Sequence, residues 1–346
     1  MRKLRILYIT PNNPYIKTPE TGFAEQLSKR GHNIIFANEY SDKLIEQDVD
    51  IVFGAMEYSM NLANWIGKKL GKPVYNHMEW IPPWRVGVED WKDWGYDGTT
   101  AEVMNHGIQQ KWMPIYIQQI QDWENSTVRS LPGKCFNQYL KPFATKPIDA
   151  ECKFYSADFD KLEQYKDDKL KTKDQIMCTA RLVPHKRVHH IIRALAKVRN
   201  APKLVVIGYG NELPRLKSEA MQLGVSIEFV GPGDNGVKEQ IIQESLFSIN
   251  IWAAIPVAES FYYKKPAISY DEDAMVELFS DTVLYAERNN VVDLAKKIQY
   301  FVDNPEVAKQ YGEIGHEKMM HNKINMNTPG KLMDDIEKIL YKGMRK

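Results

Sequence analysis

The stretch Cys178 to Val188, CTARLVPHKRV, concentrates more chemistry than any other part of the chain. An apolar run ends, a loop carries Arg181 and Lys186 five residues apart, and an amphipathic segment begins. Ligands of open α/β sheets bind outside the carboxyl ends of the strands. Two cations placed there, beside the start of a helix with its unpaired N–H groups, suit a phosphate. A basic pair taken alone is more often solvated surface, so the loop needs company. Two glycine turns supply it. LVVIGYGNEL sets Gly208 and Gly210 on either side of Tyr209, and VGPGDNG follows an apolar run ending at Val230 with Gly231 and Gly233. Glycine lets a backbone approach its neighbour closely. Taken singly, each turn is an ordinary strand-to-helix connection. Without a third glycine or a ribose-binding acid about twenty residues on, Gly-Tyr-Gly is not a nicotinamide fingerprint. The acid pairs in DFD (Asp158 to Asp160) and DED (Asp271 to Asp273) have the residue types of metal ligands but no convincing ligand spacing, so no metal site is expected.

The elements that must position these residues alternate between short apolar runs and helical patterns, the signature of parallel strands joined by crossover helices. Strands are expected at Ile6 to Ile9, Ile34 to Ala37, Ile51 to Phe53 and Val74 to Tyr75. In the second half they are expected at Ile176 to Thr179, Leu204 to Ile207, Ile227 to Val230, Phe247 to Ile251 and Ala267 to Tyr270. Val188, Ile191, Ile192, Leu195 and Val198 fall at helical spacing and would cover the sheet that follows Arg181. The fold class is therefore α/β with two Rossmann-like domains. The charged, apolar-poor stretch Lys161 to Lys173 reads as the connection between them. This places an N-terminal domain at 1–165, a C-terminal domain at 166–325 and a final helix at 326–346, with packing back on the N-terminal domain as an option. The segment Trp80 to Trp123 holds six of the eight tryptophans with weak periodicity. It reads as an elaborated surface or lid, where tryptophan faces could stack on sugar rings; ordinary packing of an irregular insertion is an equal alternative.

Length and composition set the outer bounds. At 346 residues the chain exceeds a single ordinary core, and its 43% apolar and 26% charged residues are those of a globular protein. Lysine plus arginine number 46 against 45 acids, which gives no overall field for a polyanion, so nucleic acid is not expected as a partner. Three scattered cysteines indicate neither a disulfide framework nor a zinc site and fit a cytoplasmic protein. No stretch approaches the ~18 apolar residues of a spanning helix. Peripheral membrane contact stays compatible with the sequence, although Arg2, Lys3 and Arg5 are too few to argue for it.

In order along the chain, TARLVPHKR, VVIGYGNE, EFVGPG and AESFYYKKP resemble the second domain of family 4 of the retaining glycosyltransferases, from about Gln175 to Pro305. That domain typically reads G-R-L-x-x-x-K-G, then V-V-G-x-G, F-x-G and E-A-M-A-x-G-x-P. The N-terminal RILYITPNNPYIKTPETGFAEQLSKRGHNIIFA is similar to the family's opening strand, glycine loop and helix. The resemblance implies a GT-B fold, two Rossmann-like domains facing a central cleft. It assigns Arg181 and Lys186 to the donor diphosphate and Glu259 to the ribose hydroxyls. It puts backbone near Gly208, Tyr209, Gly210, Val230 and Gly231 against the base, Gly22 in the loop after the first strand, and His77 beside the transferred sugar. One departure stands out. The family places a second glutamate eight positions before Glu259, in an E-G-F-G loop, and this chain has Ile251 there with the loop missing from SINIWAAIPVAES.

The implied reaction moves a sugar from a nucleotide-diphosphate sugar to a hydroxyl of a glycan, lipid or small molecule, with retention, without a metal and without a bound cofactor. A nucleotide-sugar epimerase and a non-catalytic nucleotide- or glycan-binding protein of the same fold are the alternatives, the second prompted by the missing glutamate.

Overall fold

The computed structural model describes residues 2–10, 19–55, 57–78, 92, 97–152, 157–234, 236–324 and 329–345. The chain divides into two compact units, Met1–Phe154 together with Gly330–Lys346, and Tyr155–Pro329.

In the first unit six strands form one sheet in the order β2-β1-β3-β4-β5-β6: β1 Arg5–Ile9, β2 Asn33–Ala37, β3 Ile51–Gly54, β4 Val74–His77, β5 Val128–Leu131 and β6 Glu151–Cys152. All of its pairings are parallel, with Ile6 opposite Ile34 on one side and Ile51 on the other. β3 and β4 are buried along their whole length, as a parallel sheet covered on both faces demands. The helix Met60–Leu70 covers one face through Ala63 and Ile66, packed on Leu7, Ile9 and Val52. The other face is covered by helices Pro19–Lys29 and Pro329–Gly343, whose Leu27, Leu332, Met333, Ile336 and Leu340 meet Ile6, Tyr8 and Phe53. The last helix is thus part of this unit's core. Arg30 clamps it through Asp334 at 2.6 Å and the Gly330 carbonyl at 2.9 Å, and buried His32 lies 2.8 Å from Glu337.

The tryptophan-rich segment is not irregular where it is described. Residues Gly98–Glu124 form one 27-residue helix, capped by Asp97, which accepts from Thr100 N at 2.9 Å. Its first four turns bury only Ala101, and the apolar contacts gather at Tyr116, Ile120 and Trp123, so no continuous apolar stripe marks it in the sequence. Trp123 is fully buried, with Nε1 donating to the Ser130 carbonyl at 3.2 Å, and is a core residue rather than a sugar platform. Trp80, Trp84, Trp91 and Trp94 lie outside the described residues.

The second unit repeats the architecture with the order β12-β11-β10-β7-β8-β9: β7 Gln175–Thr179, β8 Lys203–Ile207, β9 Ile227–Gly231, β10 Ser248–Ile249, β11 Ala267–Tyr270 and β12 Leu284–Ala286, all pairs parallel. The chain runs from β7 outward to β9 on one side, then returns to start β10 on the other. The order therefore reverses between β7 and β10, which is where an open α/β sheet opens its binding crevice. Helix Val188–Leu195 lays Val188, Ile191, Ile192 and Leu195 into the core beneath. β10 is shorter than the expected Phe247 to Ile251, because the chain leaves the sheet early and enters helix Ala254–Tyr262 after only Asn250 to Ala253.

The division between units falls at 154/155, ahead of the expected 165/166. Helix Phe159–Gln164 belongs to the second unit despite its charges: Leu162 is buried, Tyr263 Oη donates to the Leu162 carbonyl at 2.6 Å, and Tyr262 donates to Glu163.

Candidate functional site

At the switch point of the second unit, the loop after β7 carries Arg181 and a short 3₁₀ turn, Pro184–Lys186, before helix Val188–Leu195. Arg181 is exposed and Lys186 half-buried. Lys186 Nζ donates to the Trp252 carbonyl in the turn after β10, so the side chain spans the crevice between the two loops. Burial first, and then repulsion from Arg181, pull the Lys186 ammonium down from 10.5 to about 8. Among the described residues no carboxylate ion-pairs with either cation. Two positive charges held close together, one of them desolvated and neither neutralised, form a site that an anion would relieve.

The residue after Lys186 departs from the resemblance. Arg187 stands where the family has glycine, and it takes up the left-handed conformation at φ 49°. That backbone costs a side-chain-bearing residue roughly 1 kcal/mol. Its guanidinium is buried and lies 2.9 Å from Glu272 Oε1, while Arg288 Nε approaches the other oxygen at 3.1 Å. Arg187 is therefore held in a buried ion pair.

The glycine turn after β8 is explained by backbone packing. A Cβ on Gly208 would sit 1.9 Å from the Ala180 carbonyl oxygen, and one on Gly210 would sit 2.2 Å from that of Leu182. Gly208 also has φ +143°. Hydrogen bonds tie the three loops together: Ala180 N to the Ile207 carbonyl at 3.0 Å, Leu182 N to Tyr209 at 2.8 Å, and Gly208 N to Gly231 at 2.6 Å. The glycines thus fix the Arg181 loop against the turn. Val230 is half-buried, and Gly231, at φ +76°, has open space where a Cβ would lie.

Glu259 lies in helix Ala254–Tyr262, 7% exposed, with Oε1 2.5 Å from Lys238 Nζ. Burial pushes its carboxyl above the ordinary range, with Lys238 pulling the other way. Burial likewise lowers Lys238, but Glu259 and Glu239 outweigh it and hold the ammonium above its ordinary value. Fully buried Glu239 completes the cluster, 3.2 Å from Lys161 Nζ and 3.7 Å from Lys238. Nothing in VKEQIIQE announces that Lys238 meets the Glu259 carboxylate, since the two sit 21 residues apart on separate helices.

The remaining expected residues lie in the first unit or elsewhere. His77 ends β4, 4% exposed, with Nδ1 2.6 Å from Ser130 Oγ and the Phe23 ring edge-on at 6.5 Å. Gly22 falls inside helix Pro19–Lys29 and not in a loop, because the helix begins three residues before it. Ile251 is buried and Trp252 has φ 54°, so the turn after β10 is tight and has no room for the family's glutamate loop. Asp158 of the DFD pair caps helix Phe159–Gln164, accepting from Lys161 N at 3.2 Å, and Asp271 of the DED pair accepts from Arg288 N at 2.7 Å.

Residues 160–318 match the family model described as Glycosyl transferases group 1. An exopolysaccharide phosphotransferase of Streptomyces coelicolor is 30% identical over 154 residues, which covers 41% of this chain and 16% of that protein. Among solved structures, Anabaena HepE in complex with UDP and glucose superposes with a TM-score of 0.68 at 11% identity, over 98% of this chain and 100% of that one. The sucrose-phosphate synthase of Thermosynechococcus elongatus gives 0.68 at 12% identity, over 99% of both. The fold is GT-B, built of two Rossmann-like domains, and the likeness to group 1 glycosyl transferases lies within residues 160–318. Among the described residues no helix is long and apolar enough to cross a membrane.

Proposed function

We propose that this chain transfers a sugar from a nucleoside-diphosphate sugar to a hydroxyl group of a glycan, lipid or small molecule, in the cytoplasm, with retention at the anomeric carbon. The observation that carries the reading is the Arg181–Lys186 pair at the β7–β10 switch point, two neighbouring cations with which no carboxylate among the described residues pairs. In the transfer, the bond from the anomeric carbon to the phosphate oxygen breaks and the bond to the acceptor oxygen forms on the same face. The acceptor's proton passes to the leaving phosphate, so no protein nucleophile is required. Negative charge grows on the diphosphate as it leaves, and fixed cations bind it more tightly there than in the ground state. Arg181 and Lys186 supply this without a metal ion. Glu259 takes the ribose hydroxyls after exchanging part of its contact with Lys238. Ser130 fixes the orientation of the His77 ring, which the resemblance sets beside the transferred sugar. The complexes of HepE with UDP and with UDP-glucose make UDP the first donor nucleotide to test.

The turn Asn250 to Ala253 favours a second reading, nucleotide-sugar binding without transfer, since it lacks the glutamate loop of the resembled family. Calorimetry with UDP, GDP, ADP, CMP and dTDP, followed by turnover of the matching sugar nucleotide in EDTA, separates the readings. Binding of one diphosphate with release of that diphosphate upon adding acceptor supports transfer. Binding without release supports the second reading, conversion of the sugar without acceptor supports an epimerase, and no binding at all removes the donor site.

A further inference from the structure

Glu259 has a lysine bound to it, and the place of that lysine is set by the turn after β9. Lys238 N donates to the Gly233 carbonyl at 3.2 Å, and a Cβ on Gly236, at φ +83°, would meet the Tyr165 ring at 2.5 Å. The helix Val237–Glu244 therefore starts at a fixed point, with Lys238 in its first turn. The half-buried ammonium lies 2.5 Å from Oε1 of Glu259, and among the described residues it is the carboxylate's one ion-pair partner. No hydrogen bond from a described residue reaches Oε2. One oxygen is thus held and the other is left to a ligand.

The charges around Glu259 show what the lysine does. Lys161, Lys238, Glu239 and Glu259 come together from three helices, with Glu239 fully buried 3.2 Å from the exposed Lys161 and 3.7 Å from Lys238. The other titratable groups of the elements packed here have partners of their own. Tyr263 donates to the Leu162 carbonyl, Tyr262 donates to Glu163, and His316 of the helix Pro305–Met320 has Nδ1 2.9 Å from the Phe261 carbonyl. Burial and then Glu239 push the Glu259 carboxyl up, and Lys238 is the main charge that opposes them. Without it, two buried carboxylates would face one exposed cation, and like charges in such a site do not both ionise.

We infer that Lys238 is a positioning residue for the ribose of the donor, holding one oxygen of Glu259 in an ion pair and leaving the other for the hydroxyls. This deepens the donor-site reading and rests on its assignment of Glu259. A carboxylate accepts hydrogen bonds at both oxygens, whereas a protonated carboxyl turns one of them into a donor. Lys238 therefore acts on the choice between ribose and deoxyribose without touching the sugar.

The test reads by calorimetry the affinity ratio of UDP to its 2′-deoxy analogue from about pH 7 to about pH 9, in wild type, Lys238→Met, Lys238→Arg and the double variant Lys238→Met with Glu239→Gln. Both probes carry the same diphosphate, so the titration of Lys186 cancels in the ratio. Wild type and Lys238→Arg should prefer UDP about tenfold at every pH. Lys238→Met should lose the preference at neutral pH, where the carboxyl takes up a proton, and regain it as pH rises and the proton leaves. Glu239→Gln removes the competing acid, so the double variant should recover the preference at neutral pH. It also balances one carboxylate with one cation, and so answers the question where Lys238→Met alone fails to fold. A wild-type ratio in Lys238→Met overturns the inference. A loss of equal size at every pH, or one that Glu239→Gln does not relieve, also overturns it, since the lysine would then act through packing alone. A ratio near one in wild type removes the ribose from Glu259, and binding of inorganic pyrophosphate by the same protein would show that the cation pair still stands.

Discussion

β4 of the first unit and β7 of the second each deliver a residue suited to chemistry at the carboxyl end, and they treat it in opposite ways. His77 is wired into the interior: Ser130 Oγ lies 2.6 Å from its Nδ1 and 2.7 Å from the Tyr75 hydroxyl. Arg181 stays exposed, and Lys186 faces it with only a backbone carbonyl as partner. The proposed phosphate cations are thus marked by the absence of a counter-charge among the described residues. A histidine gives no such sign, because hydrogen bonds satisfy it equally well whether it serves packing or substrate.

This contrast breaks most sharply at Gly208. Gly208→Ala drives a methyl group to 1.9 Å from the Ala180 carbonyl oxygen and forces an alanine to φ +143°. It should cost the second unit about 3 kcal/mol in urea unfolding and abolish nucleoside diphosphate binding by displacing the Arg181 loop. A variant as stable as wild type would show that the loops are not locked as described.

Arg181→Ala and Lys186→Ala should each weaken a nucleoside diphosphate by roughly 1.5 to 3 kcal/mol and leave the nucleoside unaffected, as measured by calorimetry. Equal losses for both probes would take the phosphates away from this pair. Lys186 adds a pH signature. With its pKa near 8 in the free protein, the ammonium is charged below that value, so affinity should be flat there and fall as pH rises above about 8, where binding must take up a proton. The unfolded chain keeps that proton up to 10.5, so the lysine's burial penalty is present at neutral pH and fades between about 8 and 10.5, and stability gains from this group over that window.

Glu259→Gln should weaken ribonucleotide binding by roughly 1 to 3 kcal/mol and erase most of the preference over the 2′-deoxy analogue. Identical ribo-to-deoxy ratios in both proteins would mean that Lys238 is the carboxylate's standing partner and the ribose lies elsewhere. The smallest effect belongs to the first unit. Ser130→Ala should cost about 1 kcal/mol of stability and leave diphosphate affinity untouched. A change in affinity would tie the surroundings of His77 to the donor nucleotide and erase the contrast.

The sheets were legible where an apolar run fills the middle of a strand, as in β1, β3, β7 and β8, because burial on both faces leaves no polar position there to confuse the pattern. β5 escaped because Arg129 interrupts VRSL, and β6 and β12 because runs of 2 and 3 residues are too short to read. The 27-residue helix was hidden by Pro114 and by its lack of an apolar stripe, although Asp97 followed by Thr100 is a capping signal that could have found its start. In the site, the loop carrying Arg181 and Lys186 was readable from order and spacing. The Lys238–Glu259 pair and the Arg187–Glu272–Arg288 bridge were not, because each joins residues from helices or loops far apart in the chain.

The helix Pro329–Gly343 closes the core of a unit whose other strands and helices are all encoded in the first 154 residues. On the ribosome that order matters. The sheet of the first unit must wait with Ile6, Tyr8 and Phe53 only partly covered, by the helix Pro19–Lys29, while 175 further residues, Tyr155–Pro329, are synthesised. The second unit is continuous in the chain and is the first that can finish folding. Of the two units, the one that begins first is therefore the one completed last, and a frameshift within the helix Pro329–Gly343 would injure the first unit while sparing the second.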